Sequence, residues 1–196
     1  MSHSVGATYF EKLYAATSDP WDYQTSVYEQ EKYAATCEAL QSRVFERGFE
    51  IGCSFGVLSR MLAAHCRSLL SVDLVEAVLD RAHRENAALD HLRFERMEIP
   101  AAWPQGAFDL IVFSEVLYYL SLPDLLATAA RTKDSLESNG MVVMVNWLGD
   151  TSAPHTGDTA ADAFIRAVQP ALRCHRQVRT SRYRLDILAP GAPARP

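Results

Sequence analysis

Short apolar runs alternate with amphipathic stretches through the middle of the chain, the pattern of a parallel sheet whose strands are joined by helices. Runs at 44–51, 69–72, 92–94, 108–113 and 141–147 predict five strands. Between them, residues 57–66 put Leu58, Met61, Leu62 and His65 on one helical face, and 76–89 places Val78, Leu79, Ala82 and Leu89 in a similar stripe. A third helix is expected over 124–136, with Asn139-Gly140 as its stop signal. A polar loop at 150–158 leads into a short helix over 159–168, which Pro170 closes. Two last runs, 173–180 and 183–188, flank Ser181-Arg182 and predict an antiparallel hairpin at one edge of the sheet. The fold class is therefore α/β, a mostly parallel seven-stranded sheet with helices on both faces.

Residues 1–43 stand outside this pattern. They hold two aromatic helical segments joined by Asp19-Pro20-Trp21-Asp22-Tyr23, and are expected to form a helical cap on a core spanning 44–190, with 191–196 as a flexible tail. With 48% hydrophobic and 22% charged residues the chain can build a packed core, which excludes disorder for most of its length. A net charge of −5 argues against a nucleic-acid partner and suits a neutral or cationic small molecule. No apolar run reaches the ~18 residues of a membrane helix, and residues 1–19 lack a signal peptide, so a cytoplasmic location is expected. Cys37, Cys53, Cys66 and Cys174 form no paired motif, and the six histidines show no ligand spacing, so neither a disulfide framework nor a metal is expected.

The chemistry is concentrated at strand ends. Glu50-Ile51-Gly52-Cys53-Ser54-Phe55-Gly56 closes the first strand and opens a helix. Its spacing does not fit the glycine fingerprint for dinucleotides, so a nicotinamide cofactor is disfavoured. It resembles the first motif of class I S-adenosylmethionine-dependent methyltransferases, which implies a Rossmann-like fold and a loop under the amino-acid part of the cofactor. An ordinary strand-turn-helix with Ser54 as a cap is the plainer reading. Asp73, at the tip of the second strand, is placed to accept both ribose hydroxyls, with Leu74 beside it, or else to cap the next helix. Met97, Glu98 and Ile99 follow the third strand, where such enzymes hold adenine; Glu98 can accept from the exocyclic amine, or be an exposed loop residue. Ser114-Glu115-Val116-Leu117 resembles the fourth motif of the same superfamily, which lines the gap between methyl donor and acceptor. Glu115, Tyr118 and Tyr119 bunch there as candidates to contact the substrate, although either tyrosine can serve as plain core.

The segment from Asp19 through Tyr28, Glu29, Lys32 and Tyr33 to Thr36, together with the Gly52 loop and the stretch from Phe113 to Leu120, resembles the nodulation protein S family of rhizobia over about residues 9–190. That resemblance implies N-methylation, with S-adenosylmethionine as donor and S-adenosylhomocysteine as product, of the free amine on the non-reducing glucosamine of a deacetylated chitooligosaccharide, a step in making Nod factor. Glu98 departs from the pattern, since many class I enzymes carry aspartate there. Transfer to another small acceptor, or a non-catalytic nucleoside-binding module, remain alternatives on the residues alone.

Methyl transfer to nitrogen demands positioning more than a strong base. Glu115, with Tyr118 or Tyr119, is expected to orient the amine and meet the charge that forms on it. In the cap, Trp21, Tyr28 and Tyr33 can close over the cofactor and Lys32 can neutralise its carboxylate. The same residues also suit an amphipathic helix with a Glu29–Lys32 surface pair. His155, in the loop after the fifth strand, is a candidate substrate contact or a solvated histidine. Asp109 is expected to be structural.

Overall fold

The computed structural model describes residues 3–17, 19–23 and 25–191. Two helices come first, α1 (Ala7–Ala16) and α2 (Val27–Ala39), the latter capped by Ser26, which accepts from the Glu29 amide. The core then alternates β1 (Gly48–Ile51), α3 (Val57–Ala63), β2 (Leu69–Asp73), α4 (Glu76–Glu85), β3 (Leu92–Arg96) and β4 (Phe108–Ser114). A single 3-10 turn at Leu117–Tyr119 precedes α5 (Leu122–Ser135), β5 (Leu136–Trp147), α6 (Gly157–Val168), β6 (Leu172–Arg179) and β7 (Tyr183–Pro190).

The seven strands run in the order β3-β2-β1-β4-β5-β7-β6. The pairs from β3 to β5 are parallel, and the β6–β7 hairpin adds antiparallel to β5. From β1 the chain winds outward through β2 and β3, then returns to start β4 on the other side of β1. The crevice beyond the carboxyl ends of β1 and β4 is thus the switch point where such sheets bind ligands. Every residue of β4 is buried, as a central parallel strand requires. Its one charge, Asp109, accepts from the amides of Glu46 and Arg47 and so ties down the approach to β1.

Alternation along the strands sorts the core into two layers. Leu110, Val112, Val143 and Val145 pack with residues of α2, α3 and α4, whereas Ile111, Phe113, Val142 and Met144 face α5 and α6. Among the described residues no helix is long and apolar enough to cross a membrane.

Several boundaries differ from the sequence reading. The first strand is only β1, because Val44 is exposed and Phe45 makes an isolated bridge to Cys66. The third helix ends at Ser135, not at Asn139-Gly140: Leu136 is already extended and pairs with Phe108, so that turn signal lies inside β5. Met61 faces solvent and His65 follows the end of α3, which narrows the apolar face to Leu58 and Leu62. Residues 192–196 of the expected tail lie outside the described residues.

Candidate active site

One cavity of about 600 Å³ lies over the carboxyl ends of β1, β2 and β4 and beneath α1 and α2. That volume lies within the range of small-molecule sites. Its floor begins with the loop after β1. Gly52 (φ 86°) and Gly56 (φ 75°) are both left-handed, a conformation that costs glycine little. Internal packing also demands glycine at each position. A Cβ at Gly52 would stand 2.3 Å from a Val116 methyl and 2.6 Å from the Ser114 carbonyl, and one at Gly56 would stand 2.7 Å from Asn86 and Phe94. The loop is therefore shaped as much by the β4 terminus and β3 as by any ligand.

Asp73 ends β2 at the cavity wall. Its Oδ2 accepts from the Ser54 amide at 3.0 Å and its Oδ1 from the Val75 amide at 3.1 Å. The cap of α4 is Val75, so Asp73 does not cap that helix. Each oxygen keeps a lone pair for a further donor. Burial holds the Asp73 carboxyl above the usual carboxylate range, partly offset by the backbone donors. Leu74, Met97 and Ile99 line the same cavity, together with the exposed Glu98.

Glu115 stands at the other end, just past β4, in the left-handed region at φ 59°. An ordinary side chain is strained there unless its surroundings fix it. Four donors do so. Lys32 Nζ (3.0 Å) and the Tyr28 phenol (3.4 Å) reach Oε1, and the Tyr118 phenol (2.9 Å) and the Trp147 amide (2.7 Å) reach Oε2. Burial raises the Tyr28 and Tyr118 phenols well above their usual range, with the Glu115 charge adding to it, and pushes Tyr119 up to about 12. All three are therefore hydrogen-bond donors at neutral pH, not bases.

Of the residues singled out from sequence, Trp21, Tyr28, Lys32, Gly52, Ser54, Asp73, Leu74, Met97, Glu98, Ile99, Ser114, Glu115, Tyr118 and Tyr119 line this cavity. Glu50, Cys53 and Gly56 do not. Glu50 is fully buried beneath the loop, where Oε2 accepts from Ser59 (2.5 Å) and Ser71 (2.6 Å), and burial pushes its carboxyl up to about 7. Cys53 is buried core, and Gly56 is the N-cap of α3. Ser54 caps no helix; its hydroxyl meets the Tyr14 phenol at 2.8 Å.

The α2 residues also depart from expectation. Lys32 does not offer a free charge to a ligand carboxylate, since its ammonium is shared between Glu29 (2.9 Å) and Glu115 (3.0 Å). Nor is Glu29–Lys32 a surface pair, with the two residues 4% and 2% exposed. Tyr33 is core and does not line the cavity. His155 stays behind the wall: its amide donates to the Tyr118 carbonyl, its Nε2 is buried without a partner among the described residues, and the loop sends Asp150, Thr151, Ser152 and Ala153 to the cavity in its place.

Residues 8–173 match the model of the family described as nodulation protein S. The chain belongs to the nodulation protein S family. Nodulation protein S of Bradyrhizobium diazoefficiens is 33% identical over 106 residues, covering 54% of this chain and 51% of that protein. The Sinorhizobium fredii protein is 29% identical over 122 residues, covering 62% and 56%. The chain thus spans about half the length of these curated relatives. Among solved structures, the N-methyltransferase NodS from Bradyrhizobium japonicum WM9, in complex with S-adenosyl-L-homocysteine, matches with a TM-score of 0.80 at 23% identity, over 94% of this chain and 98% of that one. The fold is accordingly the Rossmann-like class I methyltransferase fold that the strand-end motifs imply.

In this member of the nodulation protein S family, Tyr14, Tyr23, Glu29 and Trp147 are cavity residues that sequence reasoning missed. Two of them, Tyr14 and Trp147, carry a signal in the sequence. Phe10, Leu13 and Tyr14 share one face of α1, and Trp147 ends β5 at the same sheet edge as Asp73 and Ser114. Nothing local distinguishes Glu29 from the exposed Glu31.

Proposed function

We propose that this chain is an S-adenosylmethionine-dependent N-methyltransferase whose acceptor is the free amine on the non-reducing glucosamine of a deacetylated chitooligosaccharide, as its family membership suggests. The observation that carries this reading is one cavity lined both by Asp73, at the tip of β2, and by Glu115, just past β4 on the other side of β1. One carboxylate is free to take hydroxyl donors, and the other is fixed among phenols.

The residues fit the cofactor. Asp73 retains two acceptor sites for a ribose diol, Leu74, Met97 and Ile99 would flank adenine with Glu98 accepting from its amine, and Gly52 and Ser54 border the space for the amino-acid part. Trp21 and Ser114 line the same cavity, and α1 and α2 would act as its cover. When bound, S-adenosylmethionine supplies a methyl group activated by a cationic sulfur.

The chain's task is then alignment and electrostatics. The acceptor must arrive as a neutral amine. Its lone pair forms the new C–N bond as the C–S bond breaks, the departing pair stays on sulfur, and the resulting secondary ammonium later loses a proton to water. Glu115 lies where that positive charge grows, and Tyr118 and Tyr119 shape the wall around it. These phenols hold their protons and so act as donors, not as bases.

Transfer of radiolabelled methyl onto chitooligosaccharides with and without a free terminal amine tests the reading. Label on the free-amine oligomers alone is expected. Label only on unrelated small amines would move the acceptor elsewhere, and cofactor binding without transfer to any acceptor would leave a nucleoside-binding module.

A further inference from the structure

Two carboxylates, not one, line the cavity beside the Lys32 ammonium. Glu29 lines it from α2 and Glu115 from the β4 end, and the Lys32 ammonium lies between them at 2.9 and 3.0 Å. Burying three charged side chains is costly, and a site that needed only a carboxylate for an amine would not require it. The chemistry of the acceptor supplies a reason. A carboxylate within ~4–6 Å favours the protonated form of an amine, and two such groups favour it further. A protonated amine has no lone pair to attack with.

We propose that Lys32 tunes the site so that the acceptor amine binds unprotonated, by offsetting one of the two carboxylates that face it. This rests on the amine acceptor proposed above. With Lys32 the group of three carries one net negative charge, enough to stabilise the cation forming at the transition state. Without Lys32 it carries two, and the bound amine is held as an inert ammonium. Burial opposes the charge on Lys32, but the Glu115 and Glu29 carboxylates outweigh it and hold its pKa above the usual lysine value, so Lys32 stays charged throughout the working range.

The other groups facing the triad leave this balance in place. The Tyr28 and Tyr33 rings on α2 lie 5.0 and 5.5 Å from Nζ, Tyr33 also bonds to Glu29, and Tyr23 lies near Glu29 from the segment before α2; burial raises all three phenols, so they stay neutral. Tyr118 donates to Glu115 from the turn after β4, with the Tyr119 ring tilted against it at 4.5 Å. Arg182, at the β6–β7 turn, stacks on the outer side of Tyr28 and pairs with exposed Glu31 at 3.1 Å, so its charge is offset there. Asp150 lines the cavity from an exposed loop position, where solvent screens it. Lys32 touches no reacting atom in this scheme; it is a positioning residue acting through charge.

The test is the pH profile of kcat for methyl transfer to a deacetylated chitooligosaccharide with both substrates saturating, which reports ionisation in the bound complex. In Lys32→Met the acidic limb should move to higher pH by about one unit or more, and in Glu29→Gln it should move to lower pH. Lys32→Arg should keep the native limb. The double variant Glu29→Gln/Lys32→Met, again with one net negative charge, should return the limb towards its native position, and it carries the test if Lys32→Met alone does not fold. A merely structural pair would lower kcat at every pH and move no limb. Unmoved limbs, or limbs that move the same way in both single variants, overturn the role of Lys32 alone. A native protein that methylates no aminosugar overturns the acceptor reading, and this role with it.

Discussion

The Tyr14 phenol on α1 lies 2.8 Å from the Ser54 hydroxyl in the loop after β1. Ser54 is also the residue whose amide donates to Asp73, so one loop position links the first helix to the β2 carboxylate. Tyr14→Phe removes this link while keeping the ring packed between Trp21 and Phe55. The lost bond should lower stability by about 1 kcal/mol and weaken S-adenosylhomocysteine binding several-fold. Thermal melts with and without that ligand read both effects, and an unchanged ligand-induced shift would separate Tyr14 from the cofactor end.

Asp73→Asn keeps the shape of the side chain but replaces one acceptor oxygen with a donor facing the Ser54 or Val75 amide. Loss of a charge-assisted pair of bonds to a ribose should weaken S-adenosylhomocysteine by about 1.5–3 kcal/mol, measurable by calorimetry. An affinity within about twofold of native would remove Asp73 from the cofactor site.

Glu115→Gln presents an amide where four donors converge, so at least one of them loses its acceptor. Turnover should fall by about tenfold or more while S-adenosylhomocysteine affinity stays near native, because the cofactor is expected at the Asp73 end. Single-turnover transfer beside cofactor titration makes the comparison. Full activity at saturating acceptor would overturn the role of Glu115.

Glu50 gives a stability signature. Burial pushes its carboxyl up to about 7 from an ordinary 4.5, so between those values the folded chain holds a proton that the unfolded chain has lost. Its contribution to stability is complete below about 4.5 and disappears as pH rises through about 7, amounting to a few kcal/mol at most. Glu50→Gln carries no such proton, so native and variant Tm values should diverge between pH 5 and 8, with the native falling more steeply. Parallel curves would show that Ser59 and Ser71 stabilise the ionised form.

What the sequence determined is what period and local chemistry encode. Short apolar runs marked the strands from β2 to β7, apart from the start of β5, left-handed turns called for Gly52 and Gly56, and polar residues at strand tips marked Asp73, Ser114 and Glu115, because a parallel sheet gathers its carboxyl ends at one edge. Tertiary structure decided which charges meet. Glu29 and Lys32 read locally as a solvated helical pair, and only the packing of α2 over the β4 end buries them against Glu115. Likewise Glu50 sits in the loop motif yet lies beneath the cavity, and His155 lies behind its wall, since the side of a strand or loop that a chain buries depends on what packs there. Periodicity records how often a residue turns inward; it carries no record of the partner waiting, and the energy of a buried charge is set by that partner.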